Sequence, residues 1–269
     1  MNRIAIIGTL LCGVGVVHAD IVDDFESYAT GSVPGGVWAD ATSYIDEPTH
    51  TGNSVSVIDT TDAFGNATRA VQINDHVGTS GGLISDVGHA SNQRFEIDVR
   101  LDQRGNGSQP NWMSAVGFFQ DTDQSDFNWS PQAVVYASGT GRFRLFVQNA
   151  DGAGTASRDF GLSGGVWSLD TWYRISLGAD TVNGIFDVTI TDLATGSVIA
   201  DVSRTYNGWN AAFGQYDLVS VNDGEYGSNP GTIGNMSTYD NASYVPAPGA
   251  TALLGFAGLA TARRRRNGA

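Results

Sequence analysis

Glu96 and Asp98 are the residues of this chain whose types and spacing could support acid–base chemistry. They occupy alternate positions of the run Arg94–Leu101, in which apolar and polar residues alternate. Because successive side chains of a strand point to opposite faces, the two carboxylates are predicted to share one face. Two carboxyl groups about 5–5.5 Å apart can hydrolyse a glycosidic bond with retention of configuration. The same alternation allows a plainer interpretation, in which Arg100 simply pairs with its acidic neighbours.

Three of the six tryptophans lie among amide, hydroxyl and glycine residues. They are Trp112, Trp129 and Trp209. A flat apolar ring surrounded by hydrogen-bonding groups suits sugars, which present both C–H faces and hydroxyls, so these are candidate glycan-binding residues. The burial that is typical of tryptophan equally favours loop rings that fold back onto the core. The other three are predicted to pack within the fold: Trp38, Trp167 and Trp172.

The elements that would carry these residues are short strands. The chain contains 35 glycines, and its alternating runs are bounded by Gly, Asn, Asp and Ser without helical periodicity. The clearest strands are predicted over Ala70–Asn74, Arg94–Leu101, Ala115–Phe119, Ala133–Tyr136, Arg142–Gln148, Trp172–Leu177, Phe186–Thr191, Ser197–Val202 and Ser237–Tyr244. Hairpin turns are predicted over Gly178–Gly184 and Ala194–Gly196. Strands that follow one another without helices predict an all-β, antiparallel two-sheet sandwich.

Three motifs resemble those of the concanavalin A-like, laminin-G-type jelly roll. They are Asp23–Tyr28, Asp170–Ile175 and Tyr239–Asn241. The resemblance implies that the first and last strands lie together, which closes the fold and keeps its edges short. No repeat or linker divides the region, so we expect a single domain over Asp20–Tyr244.

The resemblance also implies a structural calcium site. Jelly rolls of this kind often hold Ca²⁺ where the first and last strands meet, which makes Asp24, Glu26 and Asp240 its expected ligands. Calcium prefers six to eight oxygen ligands, and clustered carboxylates repel one another without a cation. The alternative is that Asp24 and Glu26 are solvated strand ends.

Laminarinase-type glycoside hydrolases share the jelly roll and carry a Glu-x-Asp-x-x-Glu strand. Glu96 and Asp98 match the first two acidic positions, but Leu101 stands at the third, and Asp102 is one residue late. The missing residue would be the acid/base of the reaction. We therefore expect a non-catalytic protein, and a polysaccharide-active hydrolase with a rearranged site is the alternative.

Both ends of the chain predict export. Residues 1–19 have a short basic start, an apolar run over Ile4–Val17 and a small-residue cleavage pattern, which together are typical of a signal peptide. The single cysteine, Cys12, lies in this segment, so the exported part has no disulfide and no thiol nucleophile.

Charge excludes one class of partner. Five of the fourteen basic residues lie in the two terminal segments, so nine basic residues remain against twenty-eight acidic ones, a formal charge of −19 with no lysine. Nucleic acid binding depends on a basic surface that displaces counterions from phosphate, and this composition does not supply one.

The C-terminal segment 245–269 resembles the PEP-CTERM sorting tail of bacterial surface proteins. Val245-Pro246-Ala247-Pro248 precedes an apolar run over Gly249–Ala262, and four arginines, Arg263, Arg264, Arg265 and Arg266, follow it. Ala247 stands where that family has Glu. At fourteen residues the run is shorter than the roughly 20 that span a bilayer. An ordinary C-terminal tail anchor is the alternative.

The resemblance implies a destination. An exosortase-type enzyme would process the tail after transient anchoring in the inner membrane of a Gram-negative-type bacterium. The protein would then stay at the cell surface or in the extracellular matrix. We expect a structural or adhesive role there, with binding to extracellular polysaccharide through the β-sandwich.

Overall fold

We analysed a computed structural model of the chain. It describes residues 21–40, 54–75, 81–105, 112–120, 132–150, 155–211, 216–223 and 234–246. The predicted signal peptide and most of the predicted sorting tail lie outside these ranges. Within the described ranges there is no helix long and apolar enough to cross a membrane.

Fifteen strands form two antiparallel sheets in the described part of the chain. The eight-stranded sheet has the order β13-β12-β11-β6-β15-β4-β3, with β1 also paired to β15, and the seven-stranded sheet has the order β10-β9-β8-β7-β14-β5-β2. The strands of the first sheet are β1 (Ile21–Asp23), β3 (Ser54–Thr61), β4 (Ala67–Asp75), β6 (Asn92–Gln103), β11 (Trp172–Asp180), β12 (Ile185–Asp192), β13 (Ser197–Thr205) and β15 (Asn235–Pro246). Those of the second are β2 (Ala39–Asp40), β5 (Gly81–Asp86), β7 (Trp112–Phe119), β8 (Gln132–Ser138), β9 (Arg142–Ala150), β10 (Thr155–Val166) and β14 (Leu218–Asp223). The predicted all-β, two-sheet sandwich is confirmed.

The first and last strands lie side by side, as predicted. Ile21 in β1 is opposite Tyr244 in β15, and the two strands run antiparallel. Both side chains are buried. The start of the described chain and the strand that precedes the predicted sorting tail therefore lie at the same place in the sandwich.

Strand β6 shows why the sheets pack as they do. Phe95, Ile97 and Val99 are each at most 1% exposed and belong to the core between the sheets. The intervening polar residues face outward, as the alternation predicted. Burial of one face of every strand against the other sheet is what stabilises a sandwich of this kind.

The motif at residues 23–28 closes the start of the domain. Asp23 Oδ2 accepts hydrogen bonds from the Tyr28 hydroxyl at 2.8 Å and from the Trp38 indole nitrogen at 3.0 Å. Phe25 has a φ of 56° and is fully buried. The motif thus has a structural role, in which one carboxylate anchors two aromatic rings.

The structure differs from the sequence prediction in two ways. Six strands lie outside the residue ranges predicted as strands, namely β1, β2, β3, β5, β10 and β14. The predicted turn at Gly178–Gly184 is wrong in its first half, because β11 continues to Asp180 and the turn itself is confined to residues 181–184. Gly178 is therefore a strand residue, paired on both sides.

Candidate functional site

A glycine in the middle of the eight-stranded sheet opens a gap on its outer face. Gly178 of β11 lies between Arg94 of β6 and Asp187 of β12, opposite both in register. A Cβ added at this position would lie 3.1 Å from Arg94 Nη2 and 3.6 Å from Asp187 Cβ. Because glycine supplies no side chain, Arg94 extends over Gly178, and its guanidinium lies next to Asp187 in the space that a side chain would occupy.

This space belongs to a groove of about 390 Å³, which we call the Gly178 groove. Its lining residues are Asn92, Gln93, Arg94, Glu96, Gly178, Ala179, Asp180, Asp187, Ser243 and Val245. Four strands contribute them: β6, β11, β12 and β15. A volume of roughly 300–1,000 Å³ is typical of small-ligand sites.

A hydrogen-bond chain fixes one side of the groove. Arg94 Nη1 donates to Ser176 Oγ at 2.6 Å, and Ser176 Oγ donates to Glu96 Oε1 at 2.8 Å. Ser176 is buried, so water does not compete well for its hydroxyl. The chain holds the Arg94 guanidinium and the Glu96 carboxylate in place beside the gap.

A second cavity of about 210 Å³ adjoins the groove. Glu96 and Ser243 line both spaces, and the second cavity continues along β15 to Asn241 and Arg174. Since strands rise about 3.3 Å per residue, the four steps from Val245 to Asn241 span about 13 Å. The combined surface is long enough for an extended ligand.

The two candidate catalytic residues have different surroundings. Glu96 and Asp98 both face outward as predicted, but Asp98 is buried and both of its carboxylate oxygens accept hydrogen bonds. Arg174 donates to its two oxygens at 2.7 and 2.8 Å, and Asn241 Nδ2 donates to Oδ2 at 3.0 Å. The hydrogen bond to Asp98 raises the pKa of Arg174. Of the two acids, Glu96 alone lines the groove.

The three predicted calcium ligands are near the strand closure but do not form one ligand group. Thr68 Oγ1 lies 2.7 Å from Glu26 Oε1 and 3.3 Å from Asp240 Oδ2. Asp24 instead accepts a hydrogen bond from the Glu26 backbone and lines the second cavity. Within the described residues there is no group of three or more acidic, histidine or cysteine side chains arranged to hold a metal ion. The calcium site stays a prediction without geometry of its own.

Asp240 is nevertheless an unusual carboxyl group. Burial raises its pKa from 3.8 to about 7, with smaller contributions from the Asp98 and Glu26 carboxylates. Hydrogen bonds from the Asn241 backbone and from Thr68 act in the opposite direction but are outweighed. This acid therefore changes its protonation near neutral pH.

The tryptophan prediction can be followed at one of its three positions. Trp129 lies outside the described residues. Trp112 is the first residue of β7, but the structure describes only its backbone. The Trp209 indole nitrogen donates to the Thr181 carbonyl at 2.7 Å, and its ring stacks edge-on against Phe186 with centroids 5.3 Å apart. This arrangement favours a packing role for Trp209.

The other three tryptophans pack within the fold, as predicted. All are buried: Trp38, Trp167 and Trp172. The Trp172 indole nitrogen donates to the Thr61 carbonyl at 3.0 Å, and the Arg100 guanidinium lies 5.1 Å from the ring centroid. Arg100 also pairs with Asp102, which agrees with the plainer interpretation of this strand.

The predicted sorting motif begins within the last strand of the sandwich. Val245 and Pro246 are the last residues of β15 and pair with Arg94 and Gln93 of β6. Val245 also lines the Gly178 groove. The remaining motif residues lie outside the described ranges: Ala247, Pro248, Arg263, Arg264, Arg265 and Arg266.

Sequence reasoning missed Gly178 and Asp187 as site residues. The available signal was a glycine between alternating strand residues, which often marks a close approach of a ligand or another backbone. The nearby Asp180 and Asn183 made a turn the more obvious interpretation.

Comparisons with known proteins support the architecture. No protein-family model matches the chain, and no curated protein matches its sequence. Among solved structures, the chain is similar to lectin II from Ulex europaeus, with a TM-score of 0.52 and 8% identity over 85% of this chain and 98% of the lectin. It is also similar to a cellulose induced protein, with a TM-score of 0.50 and 16% identity over 84% of this chain and 97% of that one.

A third similar structure is a sialidase, with a TM-score of 0.52 and 11% identity over 86% of this chain. The chain spans only 19% of that protein. At such low identities these likenesses establish the fold and nothing further. The described part of the chain thus has the antiparallel two-sheet sandwich fold of these structures, as predicted.

Proposed function

We propose that this chain is an exported, non-catalytic surface protein that binds a glycan in the Gly178 groove. The observation that carries the proposal is the groove itself. It is an open groove of about 390 Å³ in which hydrogen-bonding side chains surround Gly178. Sugars need both directed hydrogen bonds and an apolar surface for their C–H faces.

The lining supplies both kinds of contact. Asn92 and Arg94 are exposed donors, Glu96 and Ser243 offer oxygens, and Val245 is 46% exposed at the rim. Because Ser176 already fixes Arg94 and Glu96, a ligand loses less free energy in ordering these side chains.

The proposal favours binding over hydrolysis. A retaining glycosidase needs a second carboxyl group close to the first, free to act as nucleophile or acid. Asp98, the natural partner of Glu96 on this strand, has both oxygens held by Arg174. Release of reducing ends from a bound polysaccharide would instead support the alternative, a polysaccharide-active hydrolase with a rearranged site.

Delivery to the surface is the second part of the proposal. The signal segment would start export, and the tail at 245–269 would hold the protein in the inner membrane until an exosortase-type enzyme processes it. Strand β15 leads directly into this tail, which is consistent with a folded domain carried on a short tether. Fractionation of cells that express a chain ending at Pro246 tests this part: release into the medium is expected, and retention like that of the full chain would contradict it.

A glycan array probed with the mature chain, starting at Asp20, tests the binding itself. Gly178→Val fills the floor of the groove without requiring a positive φ, so at least tenfold weaker binding is expected. Gly161→Val is the matched control, because Gly161 lies in β10 of the other sheet with open space around it. Equal binding by all three proteins would place the glycan elsewhere.

A further inference from the structure

We infer that the Gly178 groove selects glycans that carry free amino groups, such as oligomers of glucosamine. This inference rests on the proposed glycan-binding function and adds the chemical class of the ligand. It is argued from the number of acidic and basic side chains that line the groove, and from the hydrogen bonds that these side chains already make.

The groove carries an excess of negative charge. Three acidic side chains line it, Glu96, Asp180 and Asp187, against a single basic one, Arg94. Burial raises the pKa of Asp180, but the hydrogen bonds that it accepts from Asn183 and Val182 together lower the pKa by more. The pKa of Asp180 therefore lies below its usual value, and the group stays ionised at neutral pH. A cationic group is therefore attracted to the groove at neutral pH.

The acidic groups also have unused acceptor capacity. Asp187 is exposed and makes no ion pair or side-chain hydrogen bond with another residue of the described ranges. Glu96 accepts from Ser176 through Oε1, which leaves Oε2 for a ligand. An ammonium group brings three donors and suits such a pair of acceptors.

The basic side chain is less available to an acidic ligand. Arg94 already donates Nη1 to the buried Ser176, and that hydroxyl in turn binds Glu96. A uronate or sulfate placed here would meet one engaged guanidinium and three carboxylates. The charge of −19 on a domain without lysine adds a field that repels anions at longer range.

The test compares two oligosaccharides of equal length by calorimetry at low salt, with the full mature chain. A glucosamine tetramer carries the free amines, and an N-acetylglucosamine tetramer has the same backbone without the charge. The amine form is expected to bind about tenfold more tightly, and this preference should shrink as salt screens it.

Two substitutions locate the effect. Asp187→Asn should weaken binding of the amine tetramer about threefold to tenfold and that of the acetylated tetramer less, so that the ratio of the two affinities falls. Asp201→Asn is the control, because the substitution removes the same unit of charge. Asp201 is an exposed acid on the neighbouring strand β13 and lies outside the groove lining.

The possible failures are distinguishable. Equal binding of both tetramers, abolished by Gly178→Val, would overturn the amine preference and keep the proposed function. No binding of any glycan would overturn both. A preference for amines that Asp187→Asn and Asp201→Asn reduce equally, and that Gly178→Val does not change, would identify unspecific attraction to an acidic surface and overturn the inference.

Discussion

Strands β6 and β11 form two cross-strand pairs on the same face of the sheet with opposite consequences. Asp98 lies opposite Arg174, and the two long side chains satisfy each other through two hydrogen bonds. Four residues along, Arg94 lies opposite Gly178, which has no side chain to pair with it, and the Arg94 guanidinium lies over the glycine. The first pair is a closed structural contact, whereas the second leaves charge and volume for a ligand.

A third pair connects these two regions. Glu96 and Ser176 lie opposite each other between them, and Ser176 links Glu96 to Arg94. The comparison therefore predicts that changes in the Asp98–Arg174 pair act mainly on stability, and that changes around Gly178 act mainly on binding.

Arg174→Ala should have the largest effect on stability, about 3 kcal/mol in the free energy of unfolding. It leaves the carboxylate of Asp98, whose side chain is 5% exposed, without its cation. Asp98→Ala should cost less, because the Arg174 side chain is 47% exposed and water can solvate it. Urea unfolding of both variants measures the difference, and an equal or reversed order would contradict the asymmetry.

Stability should depend on pH because of the Asp240 carboxyl group, which lies close to the Asp98–Arg174 pair. Its pKa of about 7 lies above the unfolded value of 3.8, so the folded chain holds this proton more tightly. The resulting stabilisation is fully present below pH 4 and is lost as the pH rises to about 7. In Asp240→Asn this contribution should disappear from unfolding curves recorded across that range.

The predicted calcium ion would change this result. A cation bound by Asp24, Glu26 and Asp240 would favour the ionised carboxylates, so stability would no longer fall over that pH range. The measurement is the same set of unfolding curves with added calcium and with a chelator. Coincident curves would contradict the calcium prediction and leave the Asp240 prediction intact.

Ser176→Ala should affect both regions moderately. It removes the hydroxyl that holds Arg94 and Glu96, which costs about 1 kcal/mol of stability. It should also weaken glycan binding a few-fold, because Arg94 is no longer held beside the gap. Unfolding and calorimetry on one preparation separate the two effects, with Ser157→Ala as the control, because Ser157 is exposed on β10 of the other sheet. An unchanged affinity would show that the hydrogen-bond chain is not part of the site.

The sequence predicts one of these regions much better than the other. The alternation in Arg94–Leu101 correctly placed Glu96 and Asp98 on the outer face. In a strand with one buried face, every second side chain points to the same side, so the apolar residues identify the inner face. The partner of Asp98 could not be predicted in this way, since register between β6 and β11 depends on contacts far apart in sequence. The closure of β1 on β15 was predicted through family resemblance, not through the residues alone.

The prediction of a turn at Gly178 failed for a physical reason. Gly-Ala-Asp followed by Asn and Gly has the composition of a turn, and Asp180 does hydrogen-bond the turn backbone at Val182 and Asn183. Only pairing with β6 and β12 on both sides extends the strand through Gly178. Strands such as β3 and β10 were missed because their polar residues resemble loops until neighbouring strands are known.

Gly178→Ala should have the smallest effect on stability and is the finest test of the comparison. The added methyl lies 3.1 Å from Arg94 Nη2, the movable end of a flexible side chain, so the fold can adjust. Alanine also lowers the entropy of the unfolded chain, so the free energy of unfolding should change by less than about 1 kcal/mol. Displacement of Arg94 should still weaken glycan binding about twofold in calorimetry. A large loss of stability would mean that the gap is required for packing, and that the Arg94–Gly178 pair is as structural as the Asp98–Arg174 pair.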